Sequence, residues 1–486
     1  MNKTARLSST LEVPRLIIGL WQIADMERKN PNLDLTQAAR AMNPYIQAGF
    51  TTFDMADHYG SSEIIAGICK NNAAEKDPIK LLTKWVPKPG AIDKKTVREA
   101  VLLALERMQQ SSIDLLQFHA WQYKDPSWLD ALFYLKELKE EGLIKNIGVT
   151  NFDAYHLRIA LSSGIPIVSN QISHSILDRR ALGDMKLLCE TFHIHLLAYG
   201  TLLGGFLSEK WLDKKLPKAE ELSTWSQMKY IRFIEQAGGW TVFQKLLSCL
   251  NQIAQKHQTT IPILASRFIL ENPNVASVII GARLGESAHI DSHKAVLDFN
   301  FDPDDLEEID KGLALLRPLP GNCGDEYRKP PFLTASGDLS HHLDTFPPVY
   351  EKQLISESRA HVYSGTVWES FAGYARAVRK GNTIMVSGTT ATHGKQIIGM
   401  NDAAAQTHFI IDKIEASLHA LGAGLEDVIR TRIFVHSLED WEAVAQAHGV
   451  RFKNIDPANT LVQAKLVGEG YKVEIEAQAQ VDDSIS

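Results

Sequence analysis

The sequence predicts a closed parallel (β/α)8 barrel, a TIM barrel, followed by a small α+β domain. Three observations carry that expectation. From residue 14 to about 300, a short apolar run, a polar break and a longer segment of helical period alternate, giving eight strand candidates. At 486 residues the chain is too long for one ordinary domain. A stretch at 317–354, rich in proline and glycine, then interrupts every period and gives way to a different rhythm. Eight strands alternating with helices fit a closed barrel better than an open sheet. The first strand-to-helix turn also lacks G-x-G-x-x-G, which counts against a dinucleotide-binding doubly wound sheet.

In order, the strand runs are RLIIGLW (15–21), FTTFDM (50–55), IKLLTKW (79–85), IDLLQFHA (113–120), IKNIGVT (144–150), IPIVSN (165–170), IHLLAYG (194–200) and SVIIGA (277–282). Between them, residues 93–110 set Val97, Val101, Leu102, Leu105 and Met108 at spacings that gather on one helix face. Residues 127–141 do the same with Trp128, Leu129, Leu132, Leu135 and Leu138. The segment after the seventh run, 201–240, is too long for a plain connection. It carries Lys229 and Arg232 and is expected to cover a cofactor.

The barrel is assigned to residues 1–316, a linker or packed strap to 317–354, and the α+β domain to 355–486. In the last region, strand candidates fall at 373–381, 382–388, 427–435, 460–467 and 471–481, with helices at 401–420 and 438–452. No repeat relates the two halves.

Apolar residues make up 44% and charged residues 22%, ordinary globular proportions. A formal net charge of −7, without a basic run, argues against nucleic-acid or membrane-surface partners. The four cysteines, Cys69, Cys189, Cys249 and Cys323, are widely spaced, and no metal-ligand spacing appears. The polar start, MNKTARLSST, has no signal-peptide pattern, and no apolar run is long enough to span a bilayer. These features lead to the expectation of a soluble cytoplasmic protein without a metal.

In a β/α barrel, reacting groups sit at the C-terminal strand ends and in the loops that follow. Those positions hold Asp54, Tyr59, Lys84 and His119. The four types suit carbonyl reduction. A phenol ordinarily titrates near pH 10, and an adjacent ammonium is expected to lower that value so that Tyr59 can protonate an alkoxide. Asp54 would hold Lys84 charged, and His119 would orient the carbonyl. Trp21, Trp85 and Trp121, at or just past strand ends, fit either an apolar substrate pocket or rim packing. His341 and His342 read as solvated.

The runs FDMADHYG, LLTKW and IDLLQFHAW resemble the catalytic segments of the aldo-keto reductase superfamily. GVTNF (148–152), SNQ (169–171), AYGTLLGGFL (198–207) and IIGAR (279–283) follow in the order that family uses for its cofactor. The resemblance implies Tyr59 as general acid, Lys84 and Asp54 as its electrostatic partners, and His119 as the carbonyl-orienting group. It also implies that Thr150, Asn151 and Gln171 hold the nicotinamide carboxamide, with Tyr199 stacked on the ring. Thr201, Leu202 and Gly204 would lie along the pyrophosphate, and Arg283 would face a 2′-phosphate, which favours NADP(H) over NAD(H). Ser287 and Asp291 complete the adenosine end. Both depart from the family pattern, Asp291 from an asparagine and Ser287 from a longer polar or basic residue.

In the last region, GYARAV, SGTTA, DVIRTRIFV and VEIEA resemble the Rid family, the reactive-intermediate deaminases. That resemblance implies a chorismate-mutase-like fold, a trimer or dimer of trimers, and a pocket between subunits that includes Tyr374, Ser387, Asn459 and Glu474. Asn459 stands where the family's carboxylate-binding arginine is expected, and Ala445 and Leu461 make two further pocket positions apolar. Together the resemblances imply an NADP(H)-dependent oxidoreductase acting on a small carbonyl or alcohol, with a C-terminal domain for assembly or small-molecule binding. The alternatives are a cofactor-sensing scaffold with little turnover, or a bifunctional reductase and imine deaminase.

Overall fold

The computed structural model describes residues 3–29, 32–73, 78–285, 289–331, 343 and 345–482. The chain forms two compact units. One comprises Met1–Trp121, Ala131–Ala154 and Pro166–Asp344, and the other Gln122–Asp130, Tyr155–Ile165 and Thr345–Ser486.

The first unit holds the barrel. A hairpin of β1 (Thr4–Ser8) and β2 (Leu11–Pro14) precedes eight parallel strands: β3 (Leu16–Gly19), β4 (Thr52–Asp54), β5 (Lys80–Trp85), β6 (Leu115–His119), β7 (Ile147–Thr150), β8 (Ile167–Ser173), β9 (His195–Tyr199) and β10 (Val275–Gly281). They close in sequence order, with β10 returning to β3. All eight expected runs supply a strand. The hairpin is an addition to the expected elements. It buries Leu7, Leu11 and Val13 against Ile17, Leu82, Leu115, Leu197 and Ile279, so a short polar-looking terminus fills part of the barrel's apolar interior.

The helix predicted at 93–110 spans Lys94–Met108. Asp93 caps it by accepting from the Thr96 N–H, and Gln109 ends it in a left-handed conformation at φ 53°. Its buried face is Val97, Val101, Ala104, Leu105 and Met108. Leu102, expected on that face, is exposed, because the adjacent position is turned about 100° around the axis. The 201–240 segment consists of short 3-10 turns followed by the helix Trp225–Gln236. Its residues Leu203, Phe206, Leu207, Tyr230, Phe233 and Ile234 enter an apolar cluster with the helices Trp240–Lys256 and Ile261–Leu270. Part of the expected linker likewise belongs to the barrel's unit: Cys323, Asp325 and Glu326 are buried there.

In the second unit, seven strands form one sheet in the order β11-β12-β13-β14-β19-β17-β18. They are β11 (Lys352–Ser356), β12 (Arg359–Val362), β13 (Ala377–Lys380), β14 (Thr383–Thr389), β17 (Val428–Val435), β18 (Ala458–Gln463) and β19 (Val473–Gln480), with β15 (Thr392–His393) and β16 (Gln396–Ile397) pairing separately. Only β17 and β18 run parallel, joined through the helix Trp441–Arg451. The helix Ala403–Ala420 lies on β14 and β19. β11 and β12 are strands beyond the expected set. Every residue of β11 is exposed, which leaves no apolar alternation to read. Among the described residues, no helix is long and apolar enough to cross a membrane.

Candidate active site

Side chains from successive strand ends converge on a cavity of about 440 Å³ at the barrel mouth. Asp54, Tyr59, Lys84 and His119 all line it. Lys84 Nζ donates to Asp54 Oδ2 at 2.5 Å and to the Met55 carbonyl at 2.9 Å. The other Asp54 oxygen accepts from Gln117 Nε2 at 3.0 Å and Gln171 Nε2 at 2.7 Å. The carboxylate is therefore fixed on both oxygens, and the ammonium sits 4.8 Å from the centre of the Tyr59 ring. His119 Nδ1 lies 3.4 Å from the Thr150 carbonyl, and its ring meets that of Trp121 edge to face at 4.6 Å.

The electrostatics differ from expectation at Tyr59. Its phenol is held well above the ordinary value, first by removal from water and then by the Asp54 charge. Burial outweighs the ammonium. Burial also lowers the Lys84 value, against the raising effect of Asp54. A protonated phenol close to a lysine held by a carboxylate is thus the resting arrangement.

Thr150, Asn151, Gln171, Tyr199, Thr201, Leu202, Gly204 and Arg283 line the same cavity. The amide nitrogen of Gln171 is already committed to Asp54 and Gln117, so only its oxygen is left for a ligand amide. Asp291 lies exposed in the first turn of the helix Ile290–Asp298 and is outside the cavity lining. Ser287 lies outside the described residues, as do His341 and His342.

Trp21 and Trp121 line the cavity, Trp21 edge-on to Tyr59 at 4.8 Å and Trp121 donating to the Pro87 carbonyl at 2.7 Å. Trp85 does not. It follows Lys84 in β5, so strand alternation turns it away from the mouth, and it packs on Phe118 at 5.4 Å. Its pocket role is replaced by a core one.

Sequence reasoning missed much of the wall. Lys210, Ser223, Ser226, Gln227, Lys229 and Tyr230 of the long segment line the cavity; Arg232, expected to share its function, is not in that lining. Ser226 and Gln227 lie in the first turn of a 12-residue helix, whose N-terminal dipole end favours anions. The largest omission is Tyr327, from the expected linker. Its hydroxyl accepts from Lys229 Nζ at 2.8 Å. The sequence signal there, GNCGDEYR, reads only as a turn.

These residues fit a nicotinamide dinucleotide. Amide and hydroxyl groups, an aromatic ring, cationic side chains and a helix N-terminus all contribute to the one cavity wall. In the same wall Gly204 adopts φ 65°, where a Cβ would lie 2.9 Å from the Ser226 carbonyl carbon, so the loop presents bare backbone to the cavity.

The family model described as Aldo/keto reductase family matches residues 15–314. The chain belongs to the aldo/keto reductase family. Members use nicotinamide cofactors, and the barrel is an oxidoreductase domain. A relative in Escherichia coli (strain K12), an NADH-specific methylglyoxal reductase, is 27% identical over 327 residues, spanning 62% of this chain and 94% of its own. A glycerol dehydrogenase from Gluconobacter oxydans shares the fold, with a TM-score of 0.55 at 21% identity over 66% of this chain and 98% of its own.

A second family model, described as Endoribonuclease L-PSP, matches residues 366–481, and the second domain is of the Rid family. An uncharacterised protein of Streptomyces coelicolor is 36% identical over 138 residues, 27% of this chain and all of its own length (100%).

That domain contains a cavity of about 300 Å³ lined by Ile433, Ala445, His448, Phe452, Asn459 and Leu461, among others. Asn459 Nδ2 donates to Thr431 Oγ1 at 2.8 Å, and that hydroxyl lies 2.9 Å from His448 Nε2. Burial pulls the His448 imidazole down to about 4, so it is neutral at physiological pH. Tyr374, Ser387 and Glu474 do not reach this cavity. Ser387 and Glu474 stand on β14 and β19, with β17 between them and Asn459 on β18.

Proposed function

We propose that the barrel is an NADP(H)-dependent reductase of small aldehydes or ketones, able to run in reverse on the matching alcohol. The observation that carries the reading is the convergence of Tyr59, Lys84, Asp54 and His119 on one cavity with a dinucleotide-type wall. When bound, the reduced nicotinamide supplies a hydride to the carbonyl carbon. Thr150, Asn151 and the Gln171 oxygen are assigned to its carboxamide, Tyr199 to its ring, and Thr201, Leu202 and Gly204 to the pyrophosphate. Arg283 is assigned to the 2′-phosphate.

Tyr59 then donates its proton to the carbonyl oxygen as that oxygen gains charge. Its raised value keeps the proton in place until the oxygen becomes basic enough to take it. The Lys84 ammonium stabilises the phenolate left behind, and Asp54, fixed by two glutamine amides, keeps the lysine charged in a dry site. His119 sets the carbonyl angle, while Trp21 and Trp121 supply apolar walls for a small substrate.

Relatives named as methylglyoxal reductases favour a short 2-oxoaldehyde over a bulky ketone. One of them is named as NADH-specific, so the cofactor choice made from Arg283 needs its own test. The decisive experiment follows oxidation of NADPH and of NADH against a panel of aldehydes and ketones, with Tyr59→Phe alongside. Turnover with NADPH that collapses in the variant supports the reading. Cofactor binding without turnover on any carbonyl favours the sensing scaffold, and a preference for NADH overturns the role given to Arg283.

For the Rid-family domain we propose assembly of a homo-oligomer, a trimer or dimer of trimers. The edge strand β18 is exposed along nearly its whole length, and Met385, Val462 and Val467 present apolar surface in this unit. A monomer by light scattering excludes that role.

A further inference from the structure

The barrel's catalytic mouth is completed by residues that lie beyond the barrel's last helix. Pro303–Ala314 ends the repeats, yet 321–329 return to the strand ends and close on one residue, Asn151. Asn151 follows β7 in a left-handed conformation at φ 60°, which an asparagine holds only at some cost. Four contacts fix it there. Its N–H donates to the Gln171 carbonyl at 2.8 Å. Its own carbonyl accepts from an Arg328 guanidinium nitrogen at 2.7 Å. Gly324 lies so close to that carbonyl that a Cβ would stand 1.9 Å from the oxygen. Its side-chain oxygen accepts from the Tyr199 hydroxyl at 2.7 Å.

The Tyr199 hydroxyl is in turn set by the same returning segment. It lies 3.3 Å from the Tyr327 hydroxyl, which accepts from Lys229 at 2.8 Å. Lys229 and Arg180 are both buried cations, and Glu326, itself fully buried, faces Arg180 at 2.9 Å and Lys229 at 3.9 Å. Asp178 provides the second anion, at 2.7 Å from Arg180. Two cations and two carboxylates make a neutral buried network, which is the condition for burying charge without a large penalty. Arg328 also donates to the Ala120 carbonyl at 3.0 Å, tying the segment to the residue after His119.

We infer that the segment 321–329 is a clamp on the cofactor's amide end: Tyr327 is a positioning residue that, through Tyr199, orients the Asn151 side chain to receive the nicotinamide carboxamide. The inference rests on the nicotinamide reading above and deepens it. With Asn151 Oδ1 occupied by the Tyr199 proton, its amide N–H groups are turned outward as donors to the ligand carbonyl. The Tyr199 hydroxyl also lies 3.4 Å from Glu326 Oε1 and 3.5 Å from Lys229 Nζ, so removing the Tyr327 hydroxyl loosens the pair without releasing it, and the cost falls on cofactor affinity.

The test uses the full chain and reads binding apart from turnover. NADPH is titrated by quenching of tryptophan fluorescence, with Trp21 and Trp121 in the cavity as reporters. Tyr327→Phe is expected to weaken NADPH about fivefold, the scale of one net hydrogen bond. In an Asn151→Ala background the same change is expected to have no further effect, because the two act as one unit. The thermal midpoint of Tyr327→Phe, measured in parallel, stays within a few degrees of the parent. Arg328→Met provides a second variant and is expected to weaken NADPH in the same Asn151-dependent manner. Unchanged affinity in Tyr327→Phe, or an equal loss with and without Asn151, overturns the clamp alone. If the parent binds neither NADPH nor NADH, the nicotinamide reading falls and the clamp falls with it.

Discussion

Two cavities of this protein use buried polar groups in opposite ways. At the barrel mouth, buried ionic groups face opposite charges: Lys84 meets Asp54, and Arg180 and Lys229 meet Asp178 and Glu326. In the Rid-family domain the cavity wall has no such pair: Asn459 and His448 share the hydroxyl of Thr431, and the charged residue in the lining is Asp456. Elsewhere in that domain, the buried Lys413 donates to the carbonyls of Thr390 and Thr392, and burial pulls it down to about 7. The first arrangement holds charge ready for a reaction that develops charge. The second ties Asn459 and His448 to each other through Thr431 and holds a carboxylate, Asp456, in its lining, which does not suit capture of another carboxylate.

The comparison breaks most sharply at Tyr59. Tyr59→Phe should lower kcat by about 10²-fold or more, the span of general acid catalysis, while NADPH still quenches fluorescence. If turnover survives, the charged mouth is not a proton-transfer site. Next in size is Glu326→Gln, which leaves buried cations under-compensated. It should cost the barrel about 3 kcal/mol in urea unfolding, with little change in a separate transition of the second domain. Arg283→Gln should raise the KM for NADPH about tenfold and leave that for NADH unchanged, since only the former has a phosphate for the guanidinium.

In the Rid-family domain, Asn459→Arg brings a cation to the second cavity. The parent should hydrolyse imines of amino acids negligibly, and the variant should bind a 2-oxo carboxylate about tenfold tighter by calorimetry. The smallest effect concerns acid. His448 titrates at about 4 in the folded protein, whereas a histidine in an unfolded chain titrates near 6.5, so the unfolded chain takes up the proton first. Stability from this residue is complete above about pH 6.5 and is lost as pH falls toward 4. Urea midpoints stepped through that window should decline, and His448→Gln should flatten the decline.

The barrel was legible because period and spacing are local properties. Eight runs such as LLTKW and IDLLQFHA each carry their own strand signal, and the chemistry sits at their ends. Trp85 shows the limit: it is one residue past Lys84, and only strand pleat decides which of the two faces the mouth. Tyr327 was not legible for a different reason. Its partners Lys229 and Tyr199 lie roughly a hundred residues away in sequence, and the turn-rich stretch around it has no period to follow. The hairpin Thr4–Ser8 and Leu11–Pro14 was missed similarly, since three apolar residues are too few to form a pattern before the barrel buries them. In the second domain, aligned family positions marked a pocket that a single chain does not bring together.

The return of residues 321–329 to the barrel mouth has a practical consequence for anyone dividing this polypeptide. A cut at residue 316, where the repeats end, would leave Glu326 and Tyr327 on the wrong fragment and expose the Arg180 and Lys229 charges they answer. As a transferable part, the barrel must carry its strap as cargo through Pro331, and any fused partner has to begin after it.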